Sequence, residues 1–220
     1  MFSKEISYST IIYTSLFSAL LMFFGIKFVE LKMKNFFGVC FANEKTSLYH
    51  KPMIRGLGLL YIIALIPMFI FNNLLLPSDV FIIVISTMLG FCDDKYGISQ
   101  IKKIFLLLII IVGQNYFYIG IDNFLTSDYF IDIILFLFLT LFFNQIDGIN
   151  GLAGSTFSIT CLGILILFND MIMLQIIIPI ICVTLIYLNT NLRGNIGIQG
   201  EAGSFFMGSV MFVLFQKFQN

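Results

Sequence analysis

Residues 171–189 read MIMLQIIIPIICVTLIYLN, a run without a single charged side chain. A helix needs about 20 mostly apolar residues to cross the hydrocarbon core of a bilayer, so this stretch is long enough to span a membrane. Similar apolar runs follow one another along the rest of the chain, at residues 6–29, 56–76, 80–92, 104–121, 129–146, 152–169 and 203–218. The sequence therefore predicts about eight membrane-spanning helices.

The composition excludes a water-soluble globular domain. Of the 220 residues, 59% are hydrophobic and only 11% are charged, and the mean hydropathy is +1.01. Only helices and closed barrels satisfy every backbone group in lipid, and these runs lack the alternating pattern of barrel strands. We therefore predict an all-α polytopic bundle that forms one membrane domain over residues 1–220. The formal net charge is zero, which predicts no nucleic-acid partner.

The basic residues predict the orientation of the bundle, because Lys and Arg near span ends are retained on the cytoplasmic side. The loops at 72–79, 120–128 and 169–170 contain acidic residues but no basic ones. Ten of the twelve basic residues lie in the alternate loops: Lys27, Lys32, Lys34, Lys45, Lys51, Arg55, Lys95, Lys102, Lys103 and Arg193. We therefore expect both termini outside and inner loops at about 30–55, 93–103, 147–151 and 189–203.

The first inner loop places basic residues before a helix start. Lys51 and Arg55 precede Gly56 and Gly58, and an anion can bind at such a position. The alternative is that the charges only set the topology and that the two glycines allow close helix packing.

The second inner loop contains two adjacent carboxylates, Asp93 and Asp94, at the end of an apolar run. Two neighbouring anions near a low-dielectric region need a cation, a basic side chain or a shared proton. Magnesium prefers such oxygen ligands, and Lys95, Lys102 and Lys103 follow closely. The alternative is a solvated helix end.

The third inner loop reads NQIDGINGLAG over residues 144–154. Burying an unpaired carboxylate at membrane depth costs about 2.5–3.5 kcal/mol, so Asp147 should face a polar cavity, a cation or a partner. The glycines allow tight turns and the close approach of a ligand. A purely structural Asn-Asp-Gly turn is the alternative.

The fourth inner loop joins an acid to Gly and Ser at a helix start, over residues 189–204. Glu201 is a candidate to complete a metal site. Alternatively, Glu201 only favours the positive end of the helix and Ser204 caps it.

Taken together, these loops resemble those of the polyprenyl-phosphate N-acetylhexosamine-1-phosphate transferases, which form bacterial glycosyltransferase family 4. Phe91–Asp94 resembles the family's aspartate pair, and Lys103 matches a basic residue that follows it. Residues 144–153 resemble the motif Asn-x-x-Asp-Gly-x-Asp/Asn-Gly-Leu-Ala. Asn191 and Gly200–Ser204 resemble the Asn and the Gly-Asp-x-Gly-Ser of the next inner loop. The resemblance covers the chain from about residue 45 onward.

The resemblance implies transfer of N-acetylhexosamine 1-phosphate from a UDP-sugar to polyprenyl phosphate, with release of UMP, at the cytoplasmic face of the bacterial inner membrane. It implies that Asp93, Asp94 and Asp147 are catalytic, with Asp93 positioning or activating the lipid phosphate. The implied metal is Mg²⁺, with Mn²⁺ as an alternative. Its implied ligands are Asp94, Asp147 and Glu201, and the implied substrate-binding residues are Lys103, Asn144, Asn150, Asn191, Lys51 and Arg55.

The sequence departs from the family pattern in three places. Glu201 stands where the family has Asp, and residues 194–199 lack the family's Pro-Ala and Phe-Met. Full-length relatives also continue to a fifth inner loop rich in His or Arg. We therefore expect a minimal member, a degenerate relative acting as a membrane subunit, or one part of a split enzyme with a complementing C-terminal fragment. A homodimer is a further expectation, and a small transporter is the alternative class.

Overall fold

The computed structural model describes residues 8–37, 39–40, 53–71, 74–119, 127–168, 170–192 and 197–219, and most of them are helical. The α-helices of this part of the chain are α1 (Tyr8–Phe28), α2 (Lys34–Phe37), α3 (Leu59–Ala64), α4 (Ile66–Phe71), α5 (Pro77–Tyr96), α6 (Gln100–Ile119), α7 (Ser127–Ile146), α8 (Leu152–Phe168), α9 (Met171–Leu192) and α10 (Gly200–Gln219). A π-helical turn, Val29–Met33, joins α1 to α2. The predicted all-α membrane bundle is confirmed.

Every predicted apolar run contains helix, but fewer helices qualify as spans by length and composition. In the described ranges, three are long and apolar enough to cross a membrane: Tyr8–Phe37, Tyr129–Ile146 and Met171–Leu192. Leu152–Phe168 is a shorter apolar helix. The eight-span arrangement and its orientation therefore remain predictions.

The second apolar run forms two short helices instead of one. The chain leaves the helical conformation at Leu65, which has φ −93° and ψ 2°, between α3 and α4. Pro67 explains the break, because proline has no N–H to donate to the preceding turn and its ring crowds the carbonyl four residues earlier.

The helix α5 extends beyond the predicted third run at both ends. Pro77 occupies its first position, and the Asp79 carboxylate accepts a hydrogen bond from the Leu76 N–H at 2.8 Å. The helix ends at Tyr96, and Gly97 follows with φ +67°. Asp93 and Asp94 therefore lie in the last turn of α5, at the negative end of its dipole, where carboxylates are unfavourable without a partner.

Helix α10 runs through the centre of the bundle. All of its residues from 202 to 214 are buried, and it packs against α3, α5 and α7. Helix α6 packs against α5 and α7, while α1 and α8 pack against α9. Large apolar side chains such as Ile166 and Leu167 are exposed on the outside, as expected for a surface that faces lipid.

A polar cluster lies where α5 begins and α10 ends. Lys217 pairs with the buried Asp79 at 2.9 Å. Gln216 donates to Asp132 at 3.0 Å and accepts from Gln114 at 3.1 Å. These residues occupy the end of α10 opposite to Glu201, so the two ends of the bundle differ in chemistry.

Gly90 sets how closely α5 approaches α10. A Cβ atom at Gly90 would lie 2.4 Å from the Glu201 carbonyl oxygen, which is backbone and cannot swing away. We expect Gly90→Ala to destabilise the protein by about 1–3 kcal/mol, the usual range for overpacking. Thermal unfolding in detergent measures this loss. Gly163→Ala is the control, because a Cβ there would meet nothing within 4 Å; equal melting temperatures for the two variants would contradict the prediction.

Candidate active site

The start of α10 is fixed by backbone pairing with the segment that precedes α3. A short pair of strands, β1 (Val39–Cys40) and β2 (Met53–Ile54), runs antiparallel, and Gly197 bridges to Ile54 in parallel. The Ile198 N–H donates to the Ile54 carbonyl at 2.8 Å, and the Gly58 N–H donates to the Gln199 carbonyl at 2.9 Å. Arg55, which lies inside this segment, is thereby placed beside the start of α10.

Asp94 occupies the N-terminus of α10. Its carboxylate accepts hydrogen bonds from the Glu201 N–H at 2.9 Å and the Ala202 N–H at 3.1 Å. The Arg55 Nε donates to the same carboxylate at 2.9 Å. Free N–H groups and the helix dipole favour an anion at this position, so α10 offsets the unfavourable placement of Asp94 at the end of α5.

Gly200 makes this capping contact possible. Its φ is +67°, in the left-handed region that favours glycine, and a Cβ there would lie 2.3 Å from Asp94 Oδ2. Any larger residue at position 200 would therefore displace the carboxylate from the helix start.

Lys103 lies between two carboxylates. Its Nζ donates to Asp93 Oδ2 at 3.0 Å, and to Glu201 Oε1 at 2.7 Å and Oε2 at 2.8 Å. The Lys103 side chain is 3% exposed, against 4% for Asp93 and 15% for Glu201. The Ile98 N–H also donates to Asp93, so the sharp connection between α5 and α6 holds the acid in place. The trio is a buried ion cluster with one cation and two acids.

Asp147 is the first residue after α7, outside the apolar run of that helix. Its Oδ1 accepts a hydrogen bond from Gln199 Nε2 at 2.6 Å. Burial raises the pKa of Asp147 to about 8; the Gln199 hydrogen bond opposes this shift, and the charge of nearby Asp94 adds to it. A carboxyl in this state holds a proton or attracts a cation near neutral pH.

Asn191 fixes the loop that contains Asp147. The buried Asn191 Oδ1 accepts a hydrogen bond from the Gly151 N–H at 2.6 Å, and Gly151 has φ +77°. Asn144 lies half-buried in the last turn of α7, and Asn150 is exposed in the loop. Lys51 lies outside the described residues.

The structure brings the predicted site residues together in two adjacent groups. Asp94, Arg55 and, through Gln199, Asp147 surround the start of α10, while Asp93, Lys103 and Glu201 form the ion cluster beside it. Glu201 belongs to both groups, since its backbone N–H donates to the Asp94 carboxylate and its side chain accepts from Lys103. The four acids are thus neighbours, but they do not form one carboxylate pocket.

The predicted metal ligands fit a cation only in part. Among the described residues, no three Asp, Glu, His or Cys side chains are placed to hold a metal together. Both Glu201 oxygens accept from Lys103, so the set Asp94, Asp147 and Glu201 is not assembled. Magnesium often binds through one or two carboxylates plus substrate phosphates. The negative charge of Asp94 lies close enough to raise the pKa of Asp147, and a bound cation would offset that repulsion. Asp147 therefore fits such a metal best, because both Asp94 oxygens already accept from Arg55 or the start of α10, just as both Glu201 oxygens accept from Lys103.

Reasoning from the sequence missed two residues of the site. Gln199 binds Asp147, and the Gln199 backbone N–H donates to the hydroxyl of Tyr187 at 2.6 Å. An amide side chain two positions before Glu201 is a usable signal for Gln199. Tyr187 gives no such signal, because it lies inside an apolar helix where its ring is an ordinary packing residue.

The comparison with protein families agrees with this geometry. The model of glycosyl transferase family 4 matches residues 76–218, which is more than half of the chain and includes α5 to α10 almost completely. No curated protein matches the sequence. The resemblance of the second, third and fourth inner loops is thus confirmed, while the first inner loop lies outside the matched residues. The chain belongs to glycosyl transferase family 4, a family of membrane enzymes that transfer a phospho-sugar to a lipid carrier.

Proposed function

We propose that the protein transfers an N-acetylhexosamine 1-phosphate from a UDP-sugar to polyprenyl phosphate, and so starts cell-wall or surface-glycan synthesis. The observation that supports this most strongly is the set of charged groups around the start of α10, where Asp94 meets Arg55 and Asp147 lies alongside. Asp94 already occupies the N–H groups of this helix start, and the half-exposed Arg55 beside it is suited to contact a phosphate. Its place at one end of an apolar bundle lets a lipid and a water-soluble nucleotide meet there.

The proposed reaction exchanges one phosphoanhydride bond for another. An oxygen of the lipid phosphate attacks the β-phosphorus of the UDP-sugar, and the bond from this phosphorus to the bridging oxygen breaks. UMP leaves with that oxygen and its electron pair, and the lipid becomes linked to the sugar through a diphosphate. The attacking phosphate is already an anion, so the protein must chiefly align two negatively charged groups and stabilise the leaving one.

The charges of the site indicate that this alignment needs a cation. The hydrogen-bonded groups include two cations, Arg55 and Lys103, against four carboxyls: Asp93, Asp94, Asp147 and Glu201. Two phosphates would add further negative charge. A bound Mg²⁺, with Mn²⁺ as an alternative, supplies positive charge and stabilises the developing charge on UMP. Asp147 would hold it, and Asp94 would join it through the lone pairs that its hydrogen bonds leave free.

The remaining residues have supporting roles in this proposal. Arg55 is 38% exposed in its side chain and would contact the diphosphate from the solvent side. Asp93 and Glu201 hold Lys103 in its buried position, from which it would bind phosphate. Asn191 fixes the loop of Asp147, while Asn144 and Asn150 flank that acid and would contact the nucleotide.

The proposed location is the bacterial cytoplasmic membrane, with this end of the bundle facing the cytoplasm. Lys95 and Lys102, both exposed, lie at this end, as the positive-inside rule requires. Polyprenyl phosphate would place its headgroup here and its tail along the apolar exterior.

A lipid-product assay tests the proposed function. Membranes that contain the protein should convert a radiolabelled UDP-N-acetylhexosamine and polyprenyl phosphate into a butanol-extractable product. Membranes from cells without the gene provide the blank. Failure with every UDP-N-acetylhexosamine tried, while a homologous enzyme succeeds in parallel, would refute the proposal.

Removal of divalent metal should stop the reaction. We expect EDTA to reduce lipid-product formation to the blank level, because the carboxyls and phosphates of the site would then repel one another. Excess Mg²⁺ should restore the rate, and the same EDTA addition should leave the melting temperature nearly unchanged, since buried apolar side chains hold the helices together. Full activity in EDTA would show that the family's general use of a divalent metal does not extend to this protein.

A further inference from the structure

Gln199 is held rigidly just before α10. Its backbone N–H donates to the Tyr187 hydroxyl at 2.6 Å, and its carbonyl accepts from the Gly58 N–H at 2.9 Å. Its side chain is packed against Gly203, where an added Cβ would lie 2.4 Å from the Gln199 Cβ. The residue is 1% exposed. Contacts from three elements therefore fix its backbone and the first atoms of its side chain.

The side chain of Gln199 in turn holds Asp147. The distance from Gln199 Nε2 to Asp147 Oδ1 is 2.6 Å, which is short for a neutral donor and a carboxyl acceptor. Among the described residues, no group of its own loop hydrogen-bonds to the Asp147 side chain. The next residue is Gly148, and a Cβ there would meet no heavy atom within 4 Å. The side chains that hydrogen-bond to Asp147 are Gln199 and Ser204, both at the start of α10, so the orientation of Asp147 depends on that helix start.

The oxygen of the Gln199 side-chain amide indicates that a ligand binds beside it. Its Oε1 is buried and has no hydrogen-bond partner among the described residues. A buried acceptor without a donor is unfavourable, and such groups are usually satisfied by water or by a bound molecule. A water of a hydrated cation or a substrate hydroxyl would satisfy Oε1 while Nε2 keeps its bond to Asp147.

We propose that Gln199 is a positioning residue that aims the Asp147 carboxyl at the phosphates and cation of the reaction. It binds Asp147 through one amide atom and a donor of the bound ligand through the other. The kinetic consequence of this inference rests on the proposed function. The positioning itself can be measured in the protein without any substrate.

The test compares Gln199→Met with Gln216→Met. Methionine keeps the length and the unbranched shape of glutamine but cannot donate to a carboxyl. Gln216 is a buried glutamine at the opposite end of α10, bound to Asp132 and Gln114. Replacing Gln216 removes a comparable buried side-chain amide, together with its hydrogen bonds, without changing the site. Gln199→Glu provides a second variant of the same shape if the methionine variant does not accumulate.

The first measurement is infrared spectroscopy of the purified protein in detergent, with aspartate labelled by ¹³C in the side-chain carboxyl. The band of Asp147 is the one that disappears in Asp147→Asn. We expect this band to shift in Gln199→Met and Gln199→Glu and to stay in place in Gln216→Met. An unmoved Asp147 band in the Gln199 variants would overturn the proposal, whether or not the wild-type protein is active.

The second measurement is the steady-state rate of lipid-product formation. We expect kcat to fall about 10- to 100-fold in Gln199→Met, the usual effect of losing a group that orients a metal ligand or catalytic carboxyl, while KM for the UDP-sugar stays near the wild-type value. Gln216→Met should keep the wild-type kcat per folded molecule. A rise in KM at unchanged kcat would contradict positioning. An inactive wild-type protein with a shifted infrared band would reject the proposed function alone.

Discussion

Asp147→Asn is expected to lower the rate of lipid-product formation about 10³-fold and to leave the fold intact. The loss follows because Asn removes the charge that would hold the cation and face the diphosphate, and interactions of this kind carry about 10²–10³ in rate. The fold survives because Asn has the same shape and its Oδ1 can still accept from Gln199 Nε2. The measurement is kcat of the purified variant, corrected for folded protein. Activity within about tenfold of wild type would remove Asp147 from the centre of the mechanism.

The pH dependence of stability provides an independent check on the same variant. In metal-free wild type, Asp147 keeps its proton up to a pKa of about 8, whereas the unfolded chain releases it near the ordinary value of about 4. Between these values the folded state binds more protons than the unfolded state, so this group makes stability fall as pH rises. Asp147→Asn removes that contribution. We therefore expect the variant to match wild type near pH 4 and to melt at a higher temperature than wild type near pH 8.

Lys103→Met is expected to destabilise the protein severely. Among the described residues, Lys103 is the cation that contacts both Asp93 and Glu201, and its removal leaves two carboxyl groups facing each other without an opposite charge. Breaking a buried ion cluster by removing one partner costs about 3–5 kcal/mol. Thermal unfolding in detergent should show a large fall in melting temperature, together with loss of lipid-product formation.

Two further variants give this prediction its controls. Lys102→Met changes the adjacent residue, which is exposed, and should melt like wild type. The triple variant Lys103→Met, Asp93→Asn, Glu201→Gln removes both charges along with their partner and should regain much of the lost stability without regaining activity. If Lys103→Met melts like Lys102→Met, the buried cluster does not stabilise the bundle in the way described.

Much of the bundle follows from hydrophobic length alone. Each predicted run contains helix because lipid leaves a chain segment no other way to satisfy its backbone. The break before Pro67 could also have been predicted, since proline in a helix interior removes a hydrogen bond. What length does not reveal is that α10 lies at the centre; the signal for that is its small residues, Gly203, Ser204, Gly208 and Ser209, which allow helices to approach closely.

The site was predictable in its members but not in their pairing. Asp94 and Lys103 were recognisable as polar residues at span ends. The pairings depend on how α5 and α6 approach α10. Asp94 caps α10, and Lys103 donates to the Glu201 side chain. Such pairings arise from helix packing across about 100 residues of sequence. As a result, Asp94 is a helix cap, and Asp93 and Glu201 belong to an ion cluster. The sequence had instead predicted one metal site with three carboxylates.

The same pairing keeps a second interpretation open to experiment. The Glu201 side chain binds Lys103. A non-catalytic family member that acts as a membrane subunit would also retain this pair for stability. Such a protein would show the stability effects of Lys103→Met without any lipid product. A transporter is less consistent with the structure, because the two polar clusters lie at opposite ends of α10 with buried apolar residues between them.

The most direct test of phospho-sugar transfer follows the β-phosphate. Purified protein in liposomes that contain polyprenyl phosphate is supplied with a UDP-N-acetylhexosamine labelled with ³²P at the β-position and with Mg²⁺. We predict that the label enters the extractable lipid while the released UMP is unlabelled. Release of labelled UDP would mean that the sugar moves without its phosphate, and label that remains wholly in the UDP-sugar would mean no transfer; either result would contradict the proposed reaction.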